Sequence, residues 1–581
     1  MNAVEKPTYE WNQIPWRQLE KMVFKLQKRI FQASQRGDVK TVRKLQRLLM
    51  KSWSAKCLSV RKVTQDNQGR KTAGVDGVKS LSPEARLKLV GRLKIDSKSK
   101  PTRRVWIPKP GKDEKRPLGI PTMYDRALQT LVKMALEPEW EAKFEENSYG
   151  FRPGRSAHDA VEAIFSCIRL KPKYVLDADI TKCFDRIDRS KLLTKLNTSP
   201  TIKRQIKAWL KAGVIDNNQL LPTEEETPQG GTISPLLANI ALHGMEERIK
   251  QFAETLPSIN NKDSKRDKRK RLQLIRYADD FVVLHDDLEV IKQSQVILLE
   301  WLKEIGLELK PSKTRISHTL VPYEGNAGFD FLGFNFRQYP AGKNHTGNNS
   351  NGKPLGFKTI IKPSEEKVRE HYRKLAETVE KYSNAPQYAL IGALNKIIRG
   401  WSKYYSTVCS SSLFSELDNL LFQKLWRWAK RRHPRKGKKW VKKKYWHPLR
   451  NSQWGFRTLG KIRVHLYRHS DSNIVRFTKV SGNRSPYDGD WAYWGARMGK
   501  HPKLSPTKAK LLKLQKGKCA LCGLNFRDGD LIELDHIVPK NKGGSNQTTN
   551  FQLLHRHCHD LKTSNDMSLH QGEANLEDWY A

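Results

Sequence analysis

A multidomain α+β fold is what the sequence predicts, on three observations. The chain has 581 residues, more than one hydrophobic core usually organises. Short β-prone runs alternate with helical patterns through roughly the first 340 residues, and three helical patterns then follow in succession. A spaced Cys/His cluster, from Cys519 to Cys558, makes a separate pattern after them.

Lys and Arg number 108 against 60 Asp and Glu, a formal net charge of +48. On a folded chain so large an excess implies a polyanionic partner. Sixteen Trp and 17 Tyr argue against a disordered basic tail and supply rings that can stack on bases. The longest apolar runs, such as Phe281–Leu284, are far too short to span a bilayer, and Met1–Pro7 has no apolar signal core. A cytoplasmic protein with no membrane partner is therefore expected. Cys57, Cys167, Cys183 and Cys409 stand singly, while Cys519, Cys522 and Cys558 cluster and read as metal ligands rather than disulfide partners.

Taken in order, residues 15–62 read as two helices. Leu19, Met22, Val23, Leu26, Ile30 and Phe31 keep a 3.6 period, as do Val42, Leu45, Leu48 and Leu49, with a break at Gly37-Asp38. Their basic faces suit either an RNA backbone or plain solvation. Arg103–Pro121 reads as two β pieces around a Pro/Gly turn rich in Lys and Arg, either a phosphate clamp or a basic surface loop. Met123–Lys143 reads as a helix, and Ser148–Asp159 as a tight turn feeding another helix through Ile168. Lys173–Ile180 reads as a buried strand ending in acid, with Asp177 and Asp179 on one face.

Thr181–Asp188 reads as a turn into a helix. Thr227-Pro-Gln-Gly-Gly reads as a glycine turn opening a helix through Ile249, with Pro235 in its first turn. Asn260–Arg271 reads as a solvated loop. Tyr277-Ala-Asp-Asp280 lies between two β-prone flanks and reads as a hairpin tip. Adjacent carboxylates repel, so the pair suits a hard cation held by oxygen ligands, although a lone Asp-Asp pair also suits a solvated turn. Leu288–Ile305 is an amphipathic helix, Gly306–Ile316 a turn and strand carrying Lys313, and Phe329–Phe336 a strand hairpin.

Three helices are expected at 364–382, 386–406 and 413–432. Between Asn419 and Ser470 there are 17 Lys/Arg and no acid, interleaved with Trp426, Trp428, Trp440, Trp446 and Trp454. Phosphate contacts with ring stacking explain that composition better than a solvated face.

If the strands carrying Asp179 and Asp279-Asp280 lie side by side, three carboxylates meet. That is what two-metal phosphoryl transfer needs. Val175-Leu-Asp-Ala-Asp-Ile with Phe184-Asp185, Thr227-Pro-Gln-Gly-Gly, Tyr277-Ala-Asp-Asp and Phe331-Leu-Gly-Phe occur in this order. With Arg116-Pro-Leu-Gly-Ile-Pro and Tyr149-Gly-Phe-Arg-Pro-Gly, the set resembles the reverse transcriptases encoded by group II introns, over roughly residues 15–581.

The resemblance implies a right-hand polymerase with fingers and a ferredoxin-like palm, an α-helical thumb/maturase domain, and a C-terminal ββα-metal HNH module with a zinc ribbon. It implies two Mg²⁺ held by Asp179, Asp279 and Asp280, with the Ile180 carbonyl completing a site. Lys109, Arg116 and Arg126 would grip phosphates, Phe184 would exclude a ribose 2′-OH, and Gln229 and Gly230 would pack on nucleotide and template. Lys313 would stand near the leaving pyrophosphate, and Asp177 would support the site. Arg399–Tyr405 resembles the maturase region, which binds intron RNA.

Cys519-Ala-Leu-Cys522 and His555-Arg-His-Cys558 have the spacing of a structural Zn²⁺ site, with His557 competing for the His555 position. Between them, Glu533-Leu-Asp-His, Asn550 and His559 resemble an HNH endonuclease. His536 would deprotonate water, Asn550 would orient His536, and Asp535 with His559 would bind one Mg²⁺ or Mn²⁺. A DNA-binding zinc module without nuclease activity is the alternative. The domain reading is 1–70 N-terminal helical RNA-binding extension, 71–355 fingers and palm, 356–470 thumb/maturase, 471–505 DNA-binding linker, and 506–581 nuclease. Implied partners are intron RNA, double-stranded target DNA, an RNA template with a DNA primer, and dNTPs. On DNA the protein would lie with the nucleoid. A reverse transcriptase or splicing factor without a working nuclease is the competing function.

Overall fold

The structure, a computed structural model, describes residues 10–577 apart from 109–114, 182, 217–218, 222–229, 259–262, 343, 450–451, 461, 500, 502–503 and 527–529.

Three helices, Trp16–Gln35, Val39–Lys51 and Trp53–Arg61, open the fold. Gly37 turns the chain with φ +72°, and Asp38 accepts a hydrogen bond from the Thr41 N–H. A second break, at Ser52, makes three helices of the expected two. Its backbone is extended, yet its N–H still bonds the Leu48 and Leu49 carbonyls. The apolar stripes close on helix Met123–Glu141, joining Val23, Ile30, Leu49 and Val60 to Leu128, Leu131 and Val132 in one core.

Strands β1 (Thr102–Pro108) and β2 (Lys115–Ile120) pair antiparallel, giving the expected basic hairpin. β3 (Tyr174–Asp179) follows helix Ala157–Ile168. β4 (Val214–Asp216) and β5 (Gln219–Leu221) extend the first sheet to the order β2-β1-β4-β5.

A second sheet takes β6 (Gln273–Tyr277), β7 (Asp280–His285) and β8 (Arg315–His318) in the order β6-β7-β3-β8, with antiparallel neighbours throughout. Its two faces enter different cores. Val175, Ile275, Val282 and Leu284 meet helix Ala157–Ile168. Leu176, Leu274, Phe281 and Val283 meet helix Leu288–Glu304. Burial on both faces explains why these strands read as near-continuous apolar runs.

Two expectations change here. The helix expected to run through Ile249 is broken at His243-Gly244 into Ser234–Leu242 and Met245–Thr255, because Gly244 takes φ +99°. The stretch expected as a solvated loop contains helix Lys265–Arg271, with no buried residue. Ser264 caps it, and Arg269 pairs with Glu247 and Glu254 of the preceding helix.

β9 (Phe329–Phe331), β10 (Phe334–Pro340) and β11 (Phe357–Pro363) form a third sheet, with Phe329 and Phe336 stacked 5.0 Å apart. Helices Glu365–Lys381, Gln387–Tyr405 and Ser411–Arg432 follow where the periodicity puts them. β12 (Trp446–Leu449) and β13 (Ser452–Phe456) pair beside them.

Inside this helical unit His371 stacks on Trp401 and lies 2.8 Å from His469, whose other ring nitrogen is 2.7 Å from Asp418. Burial first, then the neighbouring His469, pushes the His371 pKa down to about 3. A depressed histidine contributes stability that is present above its ordinary pKa and is lost as pH falls from about 6.5 toward 3. Melting curves between pH 8 and 5 should therefore show acid destabilisation of at most about 1.4 kcal/mol per pH unit from this group. His371→Gln should flatten that dependence.

Residues 471–499 then pack on helix Ala157–Ile168 and the turn before it. Buried Asp159 accepts from the Val480 N–H and from Arg497, and Arg155 donates to the Gly482 carbonyl. Trp494 lies so close to Gly154 that a Cβ there would fall 2.4 Å from its ring. β14 (Ile532–His536), β15 (Phe551–His555) and helix Arg556–Glu577 form the last unit. It seats on the opening helices. Arg61 donates to Glu20 at 2.6 Å, lies 3.4 Å from His557 Nε2, and covers the Trp16 ring at 4.7 Å.

Candidate polymerase and nuclease sites

The second sheet builds the first site. β3 and β7 are neighbours, and their register sets Asp179 directly opposite Asp280. β6 and β7 are joined by the two residues Ala278 and Asp279, with Tyr277 opposite Asp280. Ala278 turns in the left-handed region at φ +58°. The Ile180 N–H donates to the Asp279 carbonyl at 3.4 Å, so the chain after β3 is tied to the same turn. The three carboxylates thus converge at one end of the sheet.

Their electrostatics follow from that crowding. Burial, then the charges of Asp279 and Asp179, pushes the Asp280 carboxyl up to about 7. Asp279 is raised by burial, with Asp179 adding to the effect and Arg116 opposing it. Lys313, on the turn before β8, donates to Asp179 at 2.6 Å. Burial alone would lower its pKa, but the bond to Asp179 and the charges of all three carboxylates raise it. Asp177 turns to Arg315, opposite it on β8 and 3.5 Å away. Burial pushes Asp177 up to about 6 against the pull of Arg315.

The other expected nucleotide contacts are placed unevenly. Gly230 has φ +121°, and a Cβ there would fall 2.5 Å from the Gly119 carbonyl, so Gly230 lies directly against β2. Arg126 is buried and donates to the Gly69 and Thr72 carbonyls, which ties that loop to helix Met123–Glu141. Lys109 and Gln229 lie outside the described residues, as does the side chain of Phe184.

In the last unit Cys519, Cys522, His555 and Cys558 bring their ligand atoms within 4.8 Å of one another. All three thiols are free of disulfides. Three sulfurs and one imidazole nitrogen at this spacing fit a tetrahedral zinc site. The spacing left His555 and His557 in competition, and the geometry separates them. His555 Nδ1 is 3.3 Å from the Cys522 sulfur, whereas His557 points to Arg61. Asp530 lies 3.6 Å from the other nitrogen of His555.

Beside the cluster, Asp535 and His536 end β14, with Gln552 and Phe551 opposite them on β15. His559, on the following helix, comes within 3.7 Å of Asp535. Asn550 does not bond to His536. Its amide donates to the Val538 and Ser545 carbonyls and accepts from the Val538 N–H, so it is fully engaged in stapling the intervening loop. The residue at His536 is Asn546, 3.0 Å from Nε2. Lys562 also enters, 3.2 Å from Asp535 and donating to the His536 carbonyl. Sequence reasoning missed both. Lys562 lies one helical turn beyond His559, a spacing that could have pointed to it.

Family comparisons agree with this layout. The N-terminal domain of reverse transcriptase matches residues 11–93, reverse transcriptase (RNA-dependent DNA polymerase) 107–336, the group II intron maturase-specific domain 368–446, and HNH endonuclease 519–565. The group II intron-encoded protein LtrA of Lactococcus lactis subsp. cremoris is 28% identical over 423 residues, covering 61% of this chain and 68% of LtrA. Protein YkfC of Escherichia coli (strain K12) is 32% identical over 306 residues, covering 47% of this chain and 77% of YkfC.

The chain belongs to the group II intron-encoded proteins.

Maturase-like protein 1 of Euglena gracilis is a further relative, 27% identical over 67% of this chain and 76% of its own. The intron-encoded protein therefore carries reverse transcriptase, maturase and HNH endonuclease domains, whose work is on intron RNA and DNA. Its maturase region divides the five tryptophans expected to stack on nucleic acid. Trp428 and Trp446 are core residues, and Trp426 packs half-buried against that core. Trp440 and Trp454 are exposed, with Lys444 4.9 Å over one ring and Lys442 4.0 Å over the other. Among the described residues no helix is long and apolar enough to cross a membrane.

Proposed function

We propose that Asp179, Asp279 and Asp280 of this intron-encoded protein hold two Mg²⁺ for RNA-templated DNA synthesis. The observation that carries the reading is the register of β3 against β7, which opposes Asp179 to Asp280 beside the Asp279 turn. Bound Mg²⁺ would supply charge for the triphosphate and lower the pKa of the attacking primer hydroxyl. The protein's own groups bind and orient. The Ile180 carbonyl would complete a metal site. Lys313 leaves Asp179 to protonate the departing pyrophosphate. Lys109 and Arg116 grip the triphosphate, and Arg126 braces the 69–72 loop. Phe184 excludes the 2′-OH, which selects dNTPs, while Gln229 and Gly230 seat the base against the template. Asp179→Asn should lose primer extension on an RNA template. Extension within about tenfold of the parent protein would overturn the reading.

The fold of this site is read as a right hand, with fingers, a ferredoxin-like palm and an α-helical thumb. The working division is 1–70, 71–355, 356–470, 471–505 and 506–581, with the thumb/maturase unit gripping intron RNA and the fourth segment meeting double-stranded target DNA. In the ββα-metal HNH module, His536 would take the proton from water, and Asp535 and His559 would hold one Mg²⁺ or Mn²⁺, which would supply charge for the scissile phosphate. Asn550 acts on His536 through the loop it staples. Nicking leaves a 3′-OH that primes copying of the intron RNA. The setting is the cytoplasm, at the nucleoid when DNA is bound.

Zn²⁺ at Cys519, Cys522, His555 and Cys558 would have a structural role. Sites of this type contribute folding energy directly. Cys519→Ser should lower the zinc content measured after acid release toward zero. It should also remove nicking and spare primer extension from a supplied primer.

A further inference from the structure

Arg276 lies on β6, three residues before Asp279, and its side chain is almost wholly enclosed at 1% exposure. A charged group is taken out of water only where its donors are used. Here they are used on three elements at once. Nη1 donates to the Ala278 carbonyl at 3.0 Å and to Asn239 Oδ1 at 3.1 Å, and Nη2 donates to Ser148 Oγ at 2.8 Å. Asn239 belongs to helix Ser234–Leu242, which follows the glycine turn, and its own amide donates to the Gly150 carbonyl. Gly150 lies directly beneath the hairpin tip, where a Cβ would fall 2.3 Å from the Ala278 nitrogen. Ser148, Tyr149 and Gly150 are the start of the motif that the proposed chemistry does not use.

The turn needs such a hold. Ala278 is a non-glycine residue in the left-handed region, a conformation that L-residues disfavour. The turn also joins two carboxylates that repel each other. We infer that Arg276 is a positioning residue of the polymerase site. Its fork grips the Ala278 carbonyl and fixes Asp279 and Asp280 relative to Asp179 and helix Ser234–Leu242, with Asn239 and Ser148 as its anchors. A lysine has one compact charge and cannot span three acceptors set in a planar fork. The inference rests on Asp279 and Asp280 being the metal-holding pair.

The test uses the full chain, poly(rA)/oligo(dT) and dTTP, with Mg²⁺ varied. Arg276→Lys should lower kcat by about 10–100-fold, the scale of a misplacement of roughly 1 Å. KM for dTTP should change by less than about threefold, because uniform binding is untouched. The Mg²⁺ concentration for half-maximal rate should rise several-fold, with template affinity close to the parent's. Ser148→Ala, which leaves Arg276 in place with one anchor fewer, should shift kcat and the Mg²⁺ requirement in the same direction by less. It decides the matter if the lysine variant does not fold. Unchanged kcat and Mg²⁺ requirement in a folded variant would overturn the inference. So would a loss of activity that runs in parallel with a loss of template binding. Asp279→Ala in the same assay separates the two readings: synthesis by that variant would overturn the metal site itself.

Discussion

Asp279→Ala should give a folded protein that binds RNA and synthesises no DNA. The residue sits in the two-residue turn between β6 and β7, and no packing core depends on its carboxylate. Its loss removes one of three oxygen donors that converge by register. The rate should fall by more than about a thousandfold, beyond the loss caused by deleting a single preorganised hydrogen-bond donor. The same change should act on stability with the opposite sign. Burial holds the Asp279 and Asp280 carboxyls above their ordinary range, and their mutual repulsion adds to it for Asp280. Removing one relieves the other, so the alanine variant should melt higher than the parent when both are measured in EDTA. Primer extension on an RNA template gives the first result and a thermal scan the second. Retained synthesis would remove the basis for the polymerase site.

The second large effect is expected at the other centre. His536→Ala should abolish nicking of double-stranded target DNA while primer extension from a supplied primer continues at the parent rate. Removing a general base costs about 10²–10⁴-fold. Asn546→Ala should cost less, because it leaves the imidazole in place and removes only the 3.0 Å contact that orients it. A supercoiled plasmid carrying the target site reads out nicking directly. Undiminished nicking by the His536 variant would leave the module with a DNA-binding role alone.

Much of the fold was legible because the signals were local. The apolar flanks of Tyr277–Asp280 announce two strands, and the stripes of 364–432 announce three helices. Pairing is a different kind of information. That β3 lies beside β7, and that Asp179 faces Asp280, depends on contacts a hundred residues apart, and only the ordered motifs suggested it. The helix Lys265–Arg271 was read as a loop because it buries nothing and so has no apolar period. Ion pairs to the preceding helix hold it instead. Arg276 was passed over for the converse reason, since a charged residue in a strand ordinarily reads as its solvent face. At the nuclease, the resemblance brought out His536 and Asn550 but not which asparagine reaches the imidazole. That choice is made by the loop 537–546, whose backbone takes up every polar atom of the Asn550 amide.

The seat of the nuclease on the opening helices bears on how such a protein can change over generations. His557 and Glu20 share one arginine, Arg61, across nearly the whole length of the chain, and Trp16 lies beneath it. A module tethered only by a linker can be discarded by a single stop codon. This one cannot be shed so simply. Truncation before Cys519 would open a charged, aromatic scar on the N-terminal helices, with Arg61 and Glu20 newly wetted and the Trp16 face bare. A descendant that gave up the second activity would have to rewrite that distant surface as well, so the marks of a lost nuclease should be sought at positions 16, 20 and 61.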